Sequence, residues 1–230
     1  MAPPGQRPRR HDPDRRQRIV DAALRVVGAR GIDGLSHRTV AAEADVPLGS
    51  TTYHFSSLDE LLVAALRQAN EGFGRALRES DVLADVAAPP ADPATAATDP
   101  ATDATDRVAA ATELAAALAR LMGEWIGGER TGVELEYELY LAALRRPALR
   151  PVVAEWTDAV AEALSRRTDP VTARALGALM DGIFLQVLLT DGTYDEEYAR
   201  TMLTRLLAPT EPPNRPPLTS SDSPDTSTDT

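Results

Sequence analysis

The chain has 230 residues, of which 43% are hydrophobic, enough to fill the core of one large domain or two small ones and to exclude a wholly disordered protein. It contains no cysteine, which excludes disulfides, thiolate metal sites and cysteine nucleophiles. Residues 1–18 lack the apolar run of a secretory segment, and no later stretch approaches eighteen uncharged apolar residues. We therefore expect a soluble, cytoplasmic protein without a membrane partner.

Charge is distributed unevenly along the chain, whose net charge is −11. Residues 1–57 hold nine arginines against six acidic residues, whereas the remainder holds 15 arginines against 29 acidic residues. All three histidines also lie in residues 1–57. Because polyanion binding depends on cation–phosphate contacts, this mildly basic N-terminal part is the region suited to nucleic acid.

The N-terminal part predicts a flexible basic arm, residues 1–11, followed by four helices. Asp12 before Pro13 is typical of a helix start. Gly31 closes the first helix, Ser36 can cap the second, and Ser57 with Glu60 forms a capping box for the fourth. The predicted helices span residues 13–30, 37–44, 48–54 and 58 to about 77.

The rest of the chain predicts five more helices and two low-complexity segments. Residues 87–106 contain only alanine, proline, aspartate and threonine, and residues 209–230 form a similarly polar tail, so we expect both to be disordered. No strand pattern competes, and the fold class is all-α with about nine helices. The five helices span residues 108–126, 131–146, 152–167, 170 to about 188 and 194–207. Their predicted starts are Thr131 with Glu134, Asp169 with Pro170, and Thr193 with Glu196.

The second and third helices and the three-residue turn between them have the spacing of a helix-turn-helix. Val40 and Ala41 should face inward with Ala44, Val46 should fill the turn, and Leu48 should anchor the third helix. The third helix then carries a run of small and hydrogen-bonding side chains, Gly49 to His54. Such side chains suit close approach to a DNA groove.

Residues 36–62, SHRTVAAEADVPLGSTTYHFSSLDELL, resemble the tetracycline-repressor (TetR) family of bacterial regulators. Two departures stand out. Asp45 replaces the usual turn glycine, which is tolerable because aspartate enters positive φ more readily than most residues. Leu58 replaces the usual lysine of the fourth helix, so Arg38 or the first helix would have to supply the phosphate contact. The matching positions are Ser36, Val40, Ala41, Ala44, Val46, Gly49, Tyr53 and Phe55.

The resemblance implies a helix-turn-helix DNA-binding domain, residues 12–57, whose partner is double-stranded DNA. Tyr53 and His54 would contact phosphates, and residues 50–52 would reach base edges or sugars. The alternative for Tyr53 is a half-buried ring that braces the first helix. The implied DNA-binding residues are Ser36, Arg38, Thr39, Leu48, Gly49, Ser50, Thr51, Thr52, Tyr53 and His54.

The resemblance also implies that residues 58–208 bind a small effector and form a homodimer. The candidate effector residues and the candidate interface residues, given below, could instead be ordinary core residues. Glu134 and Glu138 could either contact a cationic ligand or remain solvated. The candidate effector residues are Phe73, Met122, Trp125, Tyr137, Tyr140, Trp156 and Phe184. The candidate interface residues are Leu176, Met180, Ile183, Val187, Tyr198, Met202 and Leu206.

We therefore expect a repressor that binds a palindromic operator as a dimer and is released by a small apolar or aromatic effector. The alternative is an effector-independent or activating regulator on the same fold. An enzyme is not expected, because no serine lies in a G-x-S-x-G elbow and GFGRAL at residues 72–77 lacks the third glycine of a dinucleotide loop. The sequence predicts no metal site and no cofactor.

Overall fold

The structure is a computed structural model that describes residues 14–79, 100–128, 130–190 and 192–208, without the side chains of residues 73, 76 and 100–104. Within these ranges the chain is all-α, with nine α-helices, two short 3-10 helices and no strand. The 3-10 helices are Ile32–Gly34 and Pro147–Leu149. The α-helices are α1 Arg15–Arg30, α2 His37–Glu43, α3 Leu48–His54, α4 Leu58–Glu79, α5 Pro100–Gly128, α6 Arg130–Ala142, α7 Arg150–Ser165, α8 Pro170–Leu189 and α9 Glu196–Leu207.

Three predicted helix ends are confirmed in atomic detail. The Ser36 hydroxyl accepts the Thr39 N–H at 3.1 Å, and the Thr39 hydroxyl accepts the Ser36 N–H at 2.9 Å. Asp169 accepts the N–H groups of the first turn of α8, which begins at Pro170. Gly31 ends α1 with φ of 68°. Each cap satisfies backbone groups that have no partner inside the helix.

Other helix starts differ from the sequence predictions. The first described helix starts after Asp14, whereas Asp12 and Pro13 lie outside the described residues. The Glu60 N–H donates to the Ser57 hydroxyl at 3.1 Å as expected. The Glu60 carboxylate, however, accepts the Ser56 N–H at 2.7 Å instead of that of Ser57, so the predicted capping box is only half formed.

Two further predicted capping boxes were wrong. Thr131 lies inside α6, and Glu134 forms an ion pair at 3.0 Å with Arg130, one turn earlier in the same helix. In α9 the cap is Asp195, which accepts the Tyr198 N–H at 2.9 Å. Capping patterns recur along acidic, threonine-containing segments, so spacing alone does not select which residue becomes the cap.

The predicted disordered segment at residues 87–106 is wrong at its C-terminal end. Helix α5 begins at Pro100 and includes residues 100–106. Proline is well suited to the first turn of a helix, where its missing N–H costs nothing, and alanine is the best helix former. Residues 87–99 and the predicted tail after Pro209 lie outside the described residues.

The buried side chains form two clusters, and α4 contributes to both. The first cluster joins α1, α2 and Phe55 to the first half of α4 through residues such as Leu61 and Leu66. Leu139 of α6 and Leu149 of the second 3-10 helix complete this cluster. Leu77, near the end of α4, belongs instead to the second cluster, formed by α5 to α9. Helix α4 therefore connects the two cores.

Candidate functional site

Helices α2 and α3 form the expected helix-turn-helix. Asp45 occupies the turn with φ of 51°, a left-handed conformation that aspartate tolerates better than most residues. The Val46 N–H donates to the Ala41 carbonyl at 3.0 Å, and Val40 and Phe55 are fully buried. Leu48 does not anchor α3 as predicted, because it is 44% exposed.

The outer face of α3 carries the polar side chains predicted for DNA contact. Thr52 and Tyr53 are exposed, and Ser50 and His54 are partly exposed. The Tyr53 ring is 84% exposed and meets the His54 ring edge-on at 5.2 Å between centroids. This exposure rules out the alternative in which Tyr53 is half-buried against α1. The α3 face is therefore a solvent-facing row of hydrogen-bonding groups.

Thr51 does not belong to this outer face. Its side chain is fully buried, and its hydroxyl donates to the Leu48 carbonyl at 2.8 Å. Thr51 lies one turn before Phe55, on the inward face of the short helix, so the run of polar residues wraps around the helix instead of following one side. The prediction that Thr51 reaches DNA was wrong. Thr39 is likewise held within the α2 cap.

At the start of α4, Leu58 stands where the family usually has a lysine, and charged residues lie elsewhere in the same part of the chain. Leu58 is half-buried against the first core, and the adjacent Asp59 is paired with Arg146 at 2.7 Å. Arg38 is exposed at the start of α2. The Arg16 guanidinium lies 4.9 Å from the centroid of the Phe55 ring, which is cation–π distance. Among the described residues, Arg16 of α1 and Arg38 of α2 are exposed cations in the helix-turn-helix part of the chain.

A cavity lies in the second core, and it brings together five of the predicted effector residues. Its volume is about 20 Å³, close to the space that one water molecule requires. Met122 is buried in the same core but does not line this cavity, and the Phe73 side chain lies outside the described residues. The lining residues are Trp125, Glu136, Tyr137, Tyr140, Trp156, Val160, Gly177, Met180, Asp181 and Phe184.

Two carboxyl groups in this cavity, the buried one of Glu136 and the partly buried one of Asp181, were not singled out by sequence reasoning. The Tyr137 hydroxyl donates to Asp181 Oδ1 at 2.8 Å. Burial, together with the negative charge of Asp181, raises the pKa of Glu136 to about 8, while a hydrogen bond from Trp125 acts in the opposite direction. Burial also raises the pKa of Asp181. These carboxyls make the aromatic cavity an acidic one.

The acidic residues that the sequence did suggest lie elsewhere. Glu134 is paired with Arg130 at the surface, and Glu138 accepts the Ile32 N–H at 2.8 Å. A signal for Glu136 was present, because it falls in phase with Val133 and Tyr137 on the apolar stripe of α6. A charged residue in the apolar phase of a helix marks a buried ionisable group.

The cavity touches α4 through its two tryptophans. A Cβ added to Gly72 would lie 2.8 Å from Cη2 of Trp125, and one added to Gly74 would lie 3.0 Å from Cζ3 of Trp156. Neither glycine could carry a side chain without moving an indole ring. The walls of the cavity are therefore in direct contact with the helix that enters the DNA-binding part.

The candidate interface residues separate into two groups. Leu176, Met180 and Ile183 are buried within the second core of the same chain, so their assignment to a dimer interface was wrong. The apolar stripe of α8 is wide enough to cover two faces, and its inner face packs on α7 and α9. The remaining four, which are half-buried or exposed, are Val187, Tyr198, Met202 and Leu206.

Large apolar side chains are exposed at both ends of α8. In the described part of the chain, α8 is the one helix with the length and mean hydropathy, 1.4, of a possible membrane span, and 28% of that window is buried. Val171 and Leu189, at its two ends, are 78% and 75% exposed. These side chains are available for contact with a partner.

Comparison with known proteins identifies both halves of the chain. The family described as "Bacterial regulatory proteins, tetR family" matches residues 19–65, and the family described as "Tetracyclin repressor-like, C-terminal domain" matches residues 109–209. A TetR family member from Streptomyces coelicolor A3 is 63% identical, with a TM-score of 0.67, over 84% of this chain and 98% of that one. These matches include the helix-turn-helix and every residue that lines the cavity.

The multidrug binding protein EbrR is similar over nearly its whole length. Its complex with imidazole is 61% identical, with a TM-score of 0.71, over 89% of this chain and all of that one. Its complex with ethidium is 64% identical, with a TM-score of 0.70, over 85% of this chain and 99% of that one.

The nicotine-responsive repressor HdnoR of Paenarthrobacter nicotinovorans is 38% identical over 33% of this chain. The chain spans between 33% and 39% of the curated relatives PksA and HdnoR. These relatives are transcriptional regulators and not enzymes.

Proposed function

Because the chain belongs to the TetR family of bacterial transcriptional regulators, we propose that it is a cytoplasmic repressor that binds a palindromic operator as a homodimer. An aromatic cation that enters the cavity lined by α5 to α8 releases the repressor from DNA. The observation that carries this proposal is the acidic, aromatic cavity in contact with α4, the helix that also builds the core of the helix-turn-helix.

The DNA-binding half of the proposal rests on the outer face of α3. Thr51 and Phe55 hold the helix from its inner side, which leaves Ser50, Thr52 and Tyr53 directed outward. Ser50 and Thr52 reach base edges or sugars, and Tyr53 contacts a phosphate. With Leu58 in place of lysine, Arg38 supplies a phosphate contact from the start of α2.

The dimer rests on the outer face of α8 and the exposed part of α9. A second copy related by a two-fold axis would cover Val171 and Leu189 at the ends of α8, and Tyr198 and Leu206 on α9. Two α3 helices in such a dimer would lie about 34 to 36 Å apart, one turn of DNA. Leu189→Asp tests this interface without burying a charge in the protomer core. Light scattering should show a folded monomer, whereas an intact dimer would exclude the interface.

The effector follows from the chemistry of the cavity. The indole and phenol rings offer flat faces to an aromatic ligand, and Glu136 and Asp181 offer negative charge in a site of low polarity. EbrR structures contain ethidium, proflavin and malachite green, which are aromatic cations. The sequence prediction of an apolar or aromatic effector is therefore narrowed to an aromatic cation.

Release from DNA follows from the contacts between the cavity and α4. A cavity of about 20 Å³ admits no drug-sized molecule, so a ligand must displace the rings that fill it. Trp125 and Trp156 already touch α4 at Gly72 and Gly74, and their displacement shifts α4. A shift of α4 changes the distance between the two α3 helices and breaks the match to the operator.

Selection from random duplexes, followed by a promoter reporter, tests this function. We expect enrichment of a palindrome with half-sites one helical turn apart, repression of a promoter that contains it, and relief of repression by malachite green, an aromatic cation bound by EbrR. Activation of the promoter, or repression that no cation relieves, would instead support the effector-independent or activating alternative. Failure to enrich any sequence would contradict DNA binding itself.

A further inference from the structure

Glu136 and Asp181 line one cavity, and the described residues contribute no positively charged side chain to its lining. Besides these two carboxyls, its titratable groups are Tyr137 and Tyr140 of α6. The residues that α5 and α7 contribute, Trp125, Trp156 and Val160, carry no charge, and neither do the remaining residues of α8. On α4, Arg78 reaches the vicinity of Gly74 but is exposed and does not line the cavity.

From this arrangement, and resting on the proposed function, we propose that cation binding in the cavity is linked to proton release. The empty cavity holds one proton on the Glu136–Asp181 pair, and a monovalent aromatic cation takes the place of that proton. The charge within the cavity is then the same before and after binding, because one positive charge leaves as another enters.

The hydrogen bonds indicate where the proton resides. Asp181 accepts the Tyr137 hydroxyl at 2.8 Å, a bond that favours the ionised carboxylate of Asp181. Glu136 is the more deeply buried of the two carboxyls and faces the charge of Asp181, and its pKa is raised to about 8. The proton therefore lies on Glu136 at neutral pH, and Asp181 is the ionised member.

A bound cation reverses this preference. Its positive charge, close to both carboxyls and screened from water, favours ionisation of Glu136 and lowers its pKa in the complex. The affinity for a permanent cation then rises with pH until the pKa of the empty cavity is reached. With that pKa at about 8, linkage predicts an increase of roughly 50-fold between pH 6 and pH 8.

Calorimetric titration of the full chain with ethidium, whose charge does not change in this pH range, tests the linkage. Titration at pH 6, 7 and 8, in pairs of buffers with different ionisation enthalpies, gives the affinity and the number of protons released. We expect release of close to one proton at pH 6 and 7, and less at pH 8. In Glu136→Gln, where the amide oxygen can still accept the Trp125 hydrogen bond, proton release and the pH dependence should disappear.

A matched control and a second variant keep the outcome clear. Glu113→Gln changes an exposed carboxylate on α5 and should titrate as the unmodified chain does. Should Glu136→Gln fail to fold, Asp181→Asn should weaken ethidium binding and reduce its pH dependence. Ethidium binding without proton release and with constant affinity from pH 6 to 8 would overturn the linkage and leave the proposed function intact. No ethidium binding at any pH would overturn both.

Discussion

Replacing Glu136 by glutamine should stabilise the ligand-free protein, and the gain should increase with pH. In the unfolded chain this carboxyl ionises around its ordinary pKa of 4.5, whereas in the folded protein burial and Asp181 raise the pKa to about 8. Below pH 4.5 both states are protonated, and Glu136 contributes no pH dependence. Between pH 4.5 and 8 the unfolded state ionises first, so the folded state loses stability as pH rises.

The size of the effect follows from the two pKa values. Each pH unit within this interval costs about 1.4 kcal/mol. The cost is therefore roughly 3 kcal/mol at pH 7, and it levels off at roughly 5 kcal/mol above pH 8. A domain of this kind is typically stable by about 5 to 15 kcal/mol, so Glu136 accounts for a measurable share. Glutamine keeps the shape and the hydrogen bond to Trp125 but removes the ionisation.

Guanidinium unfolding at pH 5, 7 and 8, followed by far-ultraviolet circular dichroism, measures the effect. All samples need the same protomer concentration, because the proposed dimer would add to the apparent stability. The free energy of unfolding of Glu136→Gln should exceed that of the unmodified chain by an amount that grows from pH 5 to pH 8. Glu113→Gln, on the exposed side of α5, should show no such trend. A stability difference that stays constant with pH, or a less stable Glu136→Gln at pH 7, would refute the buried-acid reasoning.

Three further substitutions test other parts of the account. Tyr53→Ala should weaken binding to matched and scrambled duplexes equally, because a phosphate contact carries no sequence information; a loss confined to the matched duplex, in a fluorescence anisotropy assay, would contradict this. Thr51→Ala should lower the free energy of unfolding by about 1 kcal/mol, as expected for a lost buried hydrogen bond, whereas Thr52→Ala should not, and denaturant titration compares them. Gly72→Ala should be less stable than Gly28→Ala by about 1 to 3 kcal/mol, the usual cost of overpacking, because a Cβ at Gly72 would meet the Trp125 indole whereas one at Gly28 would meet nothing. Equal melting curves would refute that contact.

Most of the fold could be predicted because its signals are local. Ser36 and Asp169 satisfy backbone groups two or three residues away, and such short-range patterns appear directly in the sequence. The helix-turn-helix was predicted for the same reason, since Asp45 in its turn and Phe55 at the end of α3 lie close in sequence to the two helices that they position. The start of α5 was missed because alanine and proline were interpreted as disorder, although both also suit a helix N-terminus.

The site was only partly predictable because its geometry depends on distant residues. Tyr137 and Asp181 meet across 44 positions, and helical periodicity does not reveal which helices become neighbours. The same limit explains why Ile183 was assigned to the dimer interface. The apolar stripe that contains it is visible in the sequence, but the surface that covers it is not. Thr51 shows the limit on a smaller scale, because a seven-residue helix is too short for its polar residues to define one face.

The central claim is that ligand binding and operator binding oppose each other through α4. Titration of malachite green, a ligand of EbrR, into a complex of the protein with fluorescently labelled operator tests it most directly. The anisotropy of the DNA and the emission of Trp125 and Trp156 are followed, and labelled operator without protein is the control for binding of the dye to DNA. The account predicts that the operator is released and that saturating operator weakens binding of the dye to the protein by the same factor by which the dye weakens operator binding. Binding of the dye to the protein with equal affinity in the presence and absence of operator would contradict the account.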